Sequence, residues 1–388
     1  MQPSPAATRH VRALARTALA LESGTVAPEG PPPPPTTPQI VPELLFSVTR
    51  HRLVDLLDSH ADDLRLPGEL AGPLADLRAS GRRLLMVQLL EIGRVQALLE
   101  AAGVPALVIK GLPLAVQTTG DPAARGPGDI DLLIPPDAVE RVHALLLCGG
   151  WSPRPDAEVA PGTWAWRHVQ RTTCALPYLG SASNIDLHWR LDTTRDALPG
   201  FEELWDRREV VDLDGIAVAT LGRADLLAQT CFHAAKDRWR WLRSLVDVHR
   251  IAAMPALLDV PLRPLELRTL AITRAALGLP AGVPAGVLAQ LDAVREAPVR
   301  RALADQERPA LKSLATPGVE SALNLRYLVT ASHTPRDLAR SVVATTLPVK
   351  MVAGVPSRTA WTGIPATLWR RLRRLRQRTF AWARGGSA

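Results

Sequence analysis

The stretch VPALVIKGLPLAVQTTGDPAARGPGDIDLLI, residues 104–134, decides the fold. An apolar run reaches Ile109 and stops at Lys110-Gly111. A short apolar segment, Leu112–Gln117, reads as a helix that Gly111 opens. Residues 119–128 (TGDPAARGPG) form a Gly- and Pro-rich loop, and Asp129-Ile130-Asp131 then leads into Leu132-Leu133-Ile134. Side chains alternate across a strand, so Asp129 and Asp131 share a side. Two like charges so placed repel unless a cation sits between them, and a hard divalent ion, Mg²⁺ by default, is the simplest such cation. For an isolated D-x-D, a capping role for one Asp and a solvated edge role for the other is the better reading. The surroundings of this pair favour the metal. Exposed amides at a helix opening after Lys110-Gly111 can hold phosphate. Downstream, Asn184-Ile185-Asp186-Leu187-His188-Trp189 reads as a strand carrying a third carboxylate, with His188 on the same face as Asp186.

Val108-Ile109-Lys110-Gly111, Arg125 with Gly128-Asp129-Ile130-Asp131-Leu132-Leu133-Ile134, and Ile185-Asp186-Leu187-His188-Trp189 occur in that order. The set resembles the DNA polymerase beta-like nucleotidyltransferase superfamily, and within it the group of uncharacterised nucleotidyltransferases. The stretch His233 to Asp247, HAAKDRWRWLRSLVD, is similar to that group's helical segment. The resemblance covers roughly residues 80–255. Most of the superfamily has Gly-Ser at the loop; Lys110-Gly111 departs from that and matches the subgroup.

The resemblance implies a metal-dependent nucleotidyltransferase that moves a nucleoside monophosphate, AMP in the commonest case, from NTP to a hydroxyl of a small molecule or peptide. The phosphates would lie over Lys110 and Gly111. Two Mg²⁺ ions would be held by Asp129, Asp131 and Asp186, and Asp186 can also take the acceptor's proton. Arg125 either meets phosphate or pairs with Asp129. His188 either orients the acceptor or packs as a hydrogen-bonded strand histidine. Arg190 can contact phosphate, and His233 and Asp247 either line the opposite wall of the cleft or make polar contacts between helices. Trp239 and Trp241, interleaved with Arg238, Arg240 and Arg243, either stack a base or serve as core and solvated face of a helix. A different class stays open: a non-catalytic nucleotide-binding or RNA- or partner-binding protein on the same fold.

Working outward, the expected fold class is α+β: a small mixed sheet with flanking helices, plus an α-helical C-terminal domain. Residues 1–41 read as a flexible N-terminal arm ending in a polyproline linker, APEGPPPPPTTP. Residues 42–220 read as the nucleotidyltransferase-like domain with N-terminal helices, 221–340 as a helical domain and 341–388 as a basic amphipathic tail. Residues 163–190 read as a hairpin with its turn at 180–184, and Asp214-Gly215 marks a second one.

The chain has 388 residues and a formal net charge of +8, and only four of its 46 basic side chains are lysines. That balance favours anionic partners without choosing among nucleotide, nucleic acid and membrane surface. Three cysteines, Cys148, Cys174 and Cys231, show no metal spacing and read as reduced, buried thiols of a cytoplasmic protein. No secretory signal and no window near ~20 apolar residues is present, so no span is expected. In residues 365–388, Leu368, Leu372, Leu375, Thr379 and Trp382 form one stripe among arginines. This helix can lie on anionic lipid, making the protein peripheral to a membrane, or on RNA, or pack by its stripe.

Overall fold

The computed structural model describes residues 4–24, 36–193, 197–254, 257–258, 261–308 and 334–369. The polyproline run and residues beyond 369 lie outside this set. The chain is α+β, as expected. Helices α1 (Pro5–Glu22), α2 (Val41–His51), α3 (Val54–Ser59) and α4 (Gly68–Ala101) precede the sheet. Then follow β1 (Leu107–Ile109), α5 (Gly111–Thr119), β2 (Ile130–Leu133), α6 (Val139–Cys148), β3 (Ser152–Pro153), α7 (Trp164–Thr172), β4 (Ala175–Leu179) and β5 (Ile185–His188). After α8 (Phe201–Asp206), strands β6 (Glu209–Leu213) and β7 (Ile216–Thr220) form a separate hairpin. Asp214 and Gly215 turn it with φ of 51° and 90°, the left-handed pair that a two-residue hairpin turn needs. Helices α9 (Arg223–Lys236), α10 (Leu242–Ala252), α11 (Pro264–Leu277), α12 (Ala285–Asp292) and α13 (Glu296–Glu307) complete the body. Two further helices, Pro335–Thr346 and Val349–Val352, come before a last helical stretch that begins at residue 360.

The main sheet runs β1-β2-β5-β4-β3, with β2 and β5 parallel and the other neighbours antiparallel. Its register sorts side chains into two faces. Val108, Leu132, Leu187 and Leu176 stand opposite one another across four strands. They join the apolar cluster formed with Leu85, Leu89, Ile92, Val95 and Leu99 of α4 and with α6 and α7. The next row is Ile109, Asp131, Asp186 and Pro177, and it faces the other way. On that second face Leu107, Ile109 and Leu133 pack with Leu226, Leu227, Cys231, Val248 and Ile251 of α9 and α10. The carboxylates therefore sit on the sheet face that looks toward the C-terminal helices.

Two expectations change. Residues 5–22, read as part of a flexible arm, form a helix whose Val11, Leu14, Ala15 and Leu19 are buried against α2, α3, α10, α11 and α13. Fully burying Leu14 and Leu19 contributes about 1.5–3 kcal/mol each, more than a loose arm would hold. Glu22 at its end pairs with Arg250 of α10. Second, the first half of the expected 163–190 hairpin is α7. The Thr163 hydroxyl accepts from the Trp166 amide and starts the helix, and Trp164, His168 and Thr172 recur at helical spacing along a buried face. Only β4 and β5, joined through 180–184, make the hairpin.

Candidate active site

Lys110 closes β1 in a backbone conformation that favours glycine, φ 58° and ψ −146°, and Gly111 follows at φ 46°. For a side-chain-bearing residue this conformation costs on the order of 1–3 kcal/mol, and such strain gathers at functional sites. The turn aims Lys110 Nζ at Asp131 Oδ1, 3.0 Å away. His188 Nε2 meets the same oxygen, also at 3.0 Å. No side chain caps the α5 N-terminus beside this turn.

Asp131 and Asp186 are register partners on the parallel strands β2 and β5, so they stand side by side. Their environments push them apart. Burial alone would raise the Asp131 carboxyl, but Lys110 and His188 hold it far below the usual carboxylate range. Burial raises Asp186, and the neighbouring charges of Asp131 and Asp129 add to this, against His188 and Lys110. His188 is itself raised: burial works against its charge, and hydrogen bonding to Asp131 and to Cys174 outweighs it. One ligand atom each from Asp131, Asp186 and His188 lies within 4.8 Å of the others. Two carboxylates and an imidazole suit a divalent cation, and the repulsion at Asp186 is what such an ion relieves.

Asp129 stands one residue before β2, exposed, outside this three-residue group. Its carboxylate accepts from Asn184 Nδ2 at 3.4 Å, and Gln88 reaches its carbonyl. It is close enough to raise Asp186.

Arg125 does not pair with Asp129. Its Nε donates to both oxygens of Asp247 on α10, at 2.9 and 3.0 Å, with both side chains buried. Asp247 is thus locked to the loop that leads to Asp129. Arg190, expected at phosphate, donates to the carbonyls of Gln170 and Thr173 at the end of α7. Trp239 donates to the Thr269 hydroxyl and packs on the N-terminal helical cluster, and Trp241 meets the edge of His51. Trp239 is half-buried against that core, and Trp241, also half-buried, lies under the guanidinium groups of Arg50 and Arg240.

Two further cations lie beside this loop. The guanidinium groups of Arg243, on α10, and Arg52, at the end of α2, both approach Gly128 in the loop before Asp129. Arg243 Nη1 is buried without a hydrogen-bond partner. Burial lowers the Arg243 pKa and Arg125 adds to this, while Asp247 and Asp131 oppose it. His233 on α9 faces the same space; burial and the charges of Lys110 and Lys236 push it well below the usual imidazole value, so it is neutral. The hint in the sequence was the helical stretch from His233 to Asp247, which carries His233 and Arg243 but not Arg52.

The family model of uncharacterised nucleotidyltransferases matches residues 41–277. The chain belongs to this family. The matched span runs from α2 to the end of α11 and holds every residue of the site just described. No curated protein matches the chain.

Proposed function

We propose that this nucleotidyltransferase moves a nucleoside monophosphate, with AMP from ATP as the first case to test, onto a hydroxyl of a small molecule or peptide. The observation that carries the reading is the in-register pair Asp131 and Asp186 beneath the strained Lys110-Gly111 turn. Asp131 and Asp186, with Asp129 at the mouth, would hold Mg²⁺, in two sites as the family implies. Bound there, the ions would neutralise charge that builds on the phosphates. Lys110 would exchange Asp131 for a phosphate oxygen, and Gly111 would let the backbone come close. Arg243 would hold the outer phosphates, because its buried guanidinium edge without a partner gains most from an anion, and the exposed Arg52 beside it would add a second positive charge. Asp186, with its raised proton affinity, would take the acceptor's proton. The acceptor oxygen then bonds to the α-phosphorus, the bridge to the β-phosphate breaks, and pyrophosphate leaves. His188 would keep Asp131 oriented through its hydrogen bond. The acceptor would enter along α9–α11, where His233 offers a neutral imidazole.

The test is pyrophosphate release from each NTP with a panel of hydroxylated acceptors: aminoglycosides and other small molecules first, peptides next, RNA ends third. Metal-dependent release that Asp131→Asn abolishes supports the reading. Release that persists in Asp131→Asn refutes it.

One observation favours a second reading. Lys110 already neutralises Asp131, so a protein that only binds nucleotide needs no metal. Nucleotide binding that is insensitive to chelator, with no turnover on any acceptor, would select it.

A further inference from the structure

A cavity of about 400 Å³, a volume suited to a small molecule, opens where three helices end. No residue of the site described above lines it. Glu22 is the last residue of α1, Thr118 and Thr119 are the last two of α5, and His249 and Arg250 stand in the last turn of α10. Each helix brings its carbonyl end, the negative pole of its dipole, to the cavity. Asp55 and Ser59 of α3 form another wall, and Asp121 and Ala124 come from the loop that leads to Asp129. Arg250 Nη1 donates to the Ala124 carbonyl at 3.0 Å, one residue before Arg125.

The polar groups that face this space are mostly acceptors. Arg250 is engaged: besides Ala124 it donates to both oxygens of Glu22, at 2.6 and 3.1 Å, so that pair is neutral. Asp55 and Asp121 remain. Arg78 stands 4.0 Å from Asp55 and donates to Asp58 at 3.0 Å. Asp121 receives the Ala123 amide on one oxygen at 2.8 Å. Burial raises the Asp55 carboxyl; Arg78 and Arg82 oppose this, and Asp121 adds to the rise. Ser59 and Thr118 donate their hydroxyl protons to the carbonyls of Asp55 and Leu114, at 2.7 and 2.8 Å, which leaves their oxygens as acceptors. His249 decides the chemistry. It lines the cavity and is 5 % exposed. Its Nδ1 meets the Gly278 carbonyl at 3.1 Å, and a carbonyl only accepts, so Nδ1 carries the proton. Burial lowers this imidazole below its ordinary value, so the ring is neutral and Nε2 is an acceptor. Nε2 is buried without a hydrogen-bond partner.

We infer that this cavity binds a small organic polycation, an aliphatic polyamine, whose ammonium groups donate to Asp55, Asp121 and His249 Nε2. A buried acceptor without a partner gains most from a charged donor, and two carboxylates around one space are relieved by a cation between them. A single metal ion fits less well. Among the described residues, the one group of three or more His, Cys, Asp and Glu side chains with ligand atoms within 4.8 Å of one another is Asp131, Asp186 and His188. The carboxylates of the cavity stand on separate walls, which suits charges spaced along a flexible chain. An anion would meet two carboxylates and three helix C-termini. The whole chain carries a net charge of +8 and has no general attraction for polycations, so binding would report the cavity itself. The ligand would brace the loop ahead of Asp129, a role separate from the reaction in the cleft.

The test is calorimetric titration of spermidine into the full chain at fixed ionic strength, with and without an equal concentration of Mg²⁺. The expected result is saturable binding that Mg²⁺ does not displace. It should survive in Asp131→Asn, which excludes the acidic cleft as its source. The Asp55→Asn/Asp121→Asn chain keeps both side-chain shapes and should bind spermidine roughly tenfold more weakly or worse, because hydrogen bonds to charged groups are the strong ones. Its circular dichroism, and its NTP binding without spermidine, should be unchanged. If the double variant does not fold, Asp121→Asn alone decides: the position is exposed, its amide oxygen can still receive the Ala123 amide, and binding should weaken severalfold. Failure of the folded wild type to bind spermidine would overturn the inference. So would binding that the cavity substitutions leave intact, binding that Mg²⁺ displaces, or binding lost in Asp131→Asn.

Discussion

Substituting Asp247→Asn preserves shape at α10 and removes one charge. In the native protein that carboxylate receives Arg125 Nε through both oxygens, at 2.9 and 3.0 Å, with side chains 5–6 % exposed. It also offsets the lowering that burial imposes on Arg243. The amide would leave the buried Arg125 guanidinium and the half-buried Arg243 with no carboxylate between them. Breaking a buried ion pair from one side costs about 3–5 kcal/mol, since the remaining charge stays desolvated. Two cations rather than one are left here, so the upper half of that range applies. Against a typical total of about 5–15 kcal/mol this is about a quarter or more of the stability. The assay is urea unfolding followed by tryptophan fluorescence, with far-ultraviolet circular dichroism as a second probe. A double replacement, Arg125→Met with Asp247→Leu, should recover at least half of the loss, because it removes both charges and keeps the volume. The effect should reach the site as well. Arg125 lies in the loop that delivers Asp129, so a loosened loop should weaken NTP binding in any Asp247→Asn protein that stays folded. An Asp247→Asn cost below about 1 kcal/mol would refute the reasoning, since that is what an exposed pair is worth.

Asp186→Asn should raise the thermal midpoint of the metal-free protein while abolishing transfer. The folded pKa of Asp186 is raised by burial and by Asp131 and Asp129, so its ionised form at neutral pH opposes folding; the amide removes that opposition. A lowered midpoint in metal-free buffer would contradict this. Arg190→Ala should cost about 1–3 kcal/mol by unpairing the Gln170 and Thr173 carbonyls and should leave NTP affinity unchanged; a tenfold loss of NTP affinity would place Arg190 at phosphate after all. Burial, with Arg50 and Arg12 nearby, pushes His51 down to about 3 from the ordinary 6.5. The unfolded chain thus binds a proton at this residue below the ordinary value and the folded chain does not, so stability falls as pH drops through that window. The shift in guanidinium midpoint between pH 7 and about 4.5 should be smaller in His51→Gln than in wild type, if His51 titrates at its ordinary value only when unfolded.

The chemistry-bearing part of the site was legible because it is local and periodic. Period-two spacing places Asp131 beneath a glycine-bearing turn, and the same spacing puts Asp186 and His188 on one face of β5. What was not legible depends on contacts far apart in the chain. Arg125 and Asp247 are 122 residues apart, and nothing in either segment names the other. The approach of Arg52 and Arg243 to Gly128 likewise joins three distant segments. Residues 164–172 misled for a different reason. Their Trp and His content suits a strand, and the signal that decides the matter is the capping hydroxyl of Thr163. The N-terminal helix was underrated because its stripe of small residues is weakly apolar in isolation. It becomes convincing only when α2, α3 and α11 offer a surface to bury it.

The central claim is that Asp131 and Asp186 form a metal-dependent nucleotide site. Calorimetric titration of each NTP into wild type and into Asp131→Asn/Asp186→Asn, with Mg²⁺ and with chelator, addresses it most directly. Binding that requires both the metal and the two carboxylates is the predicted result. Equal binding by wild type and the double variant, or binding that chelator leaves unchanged, would contradict it.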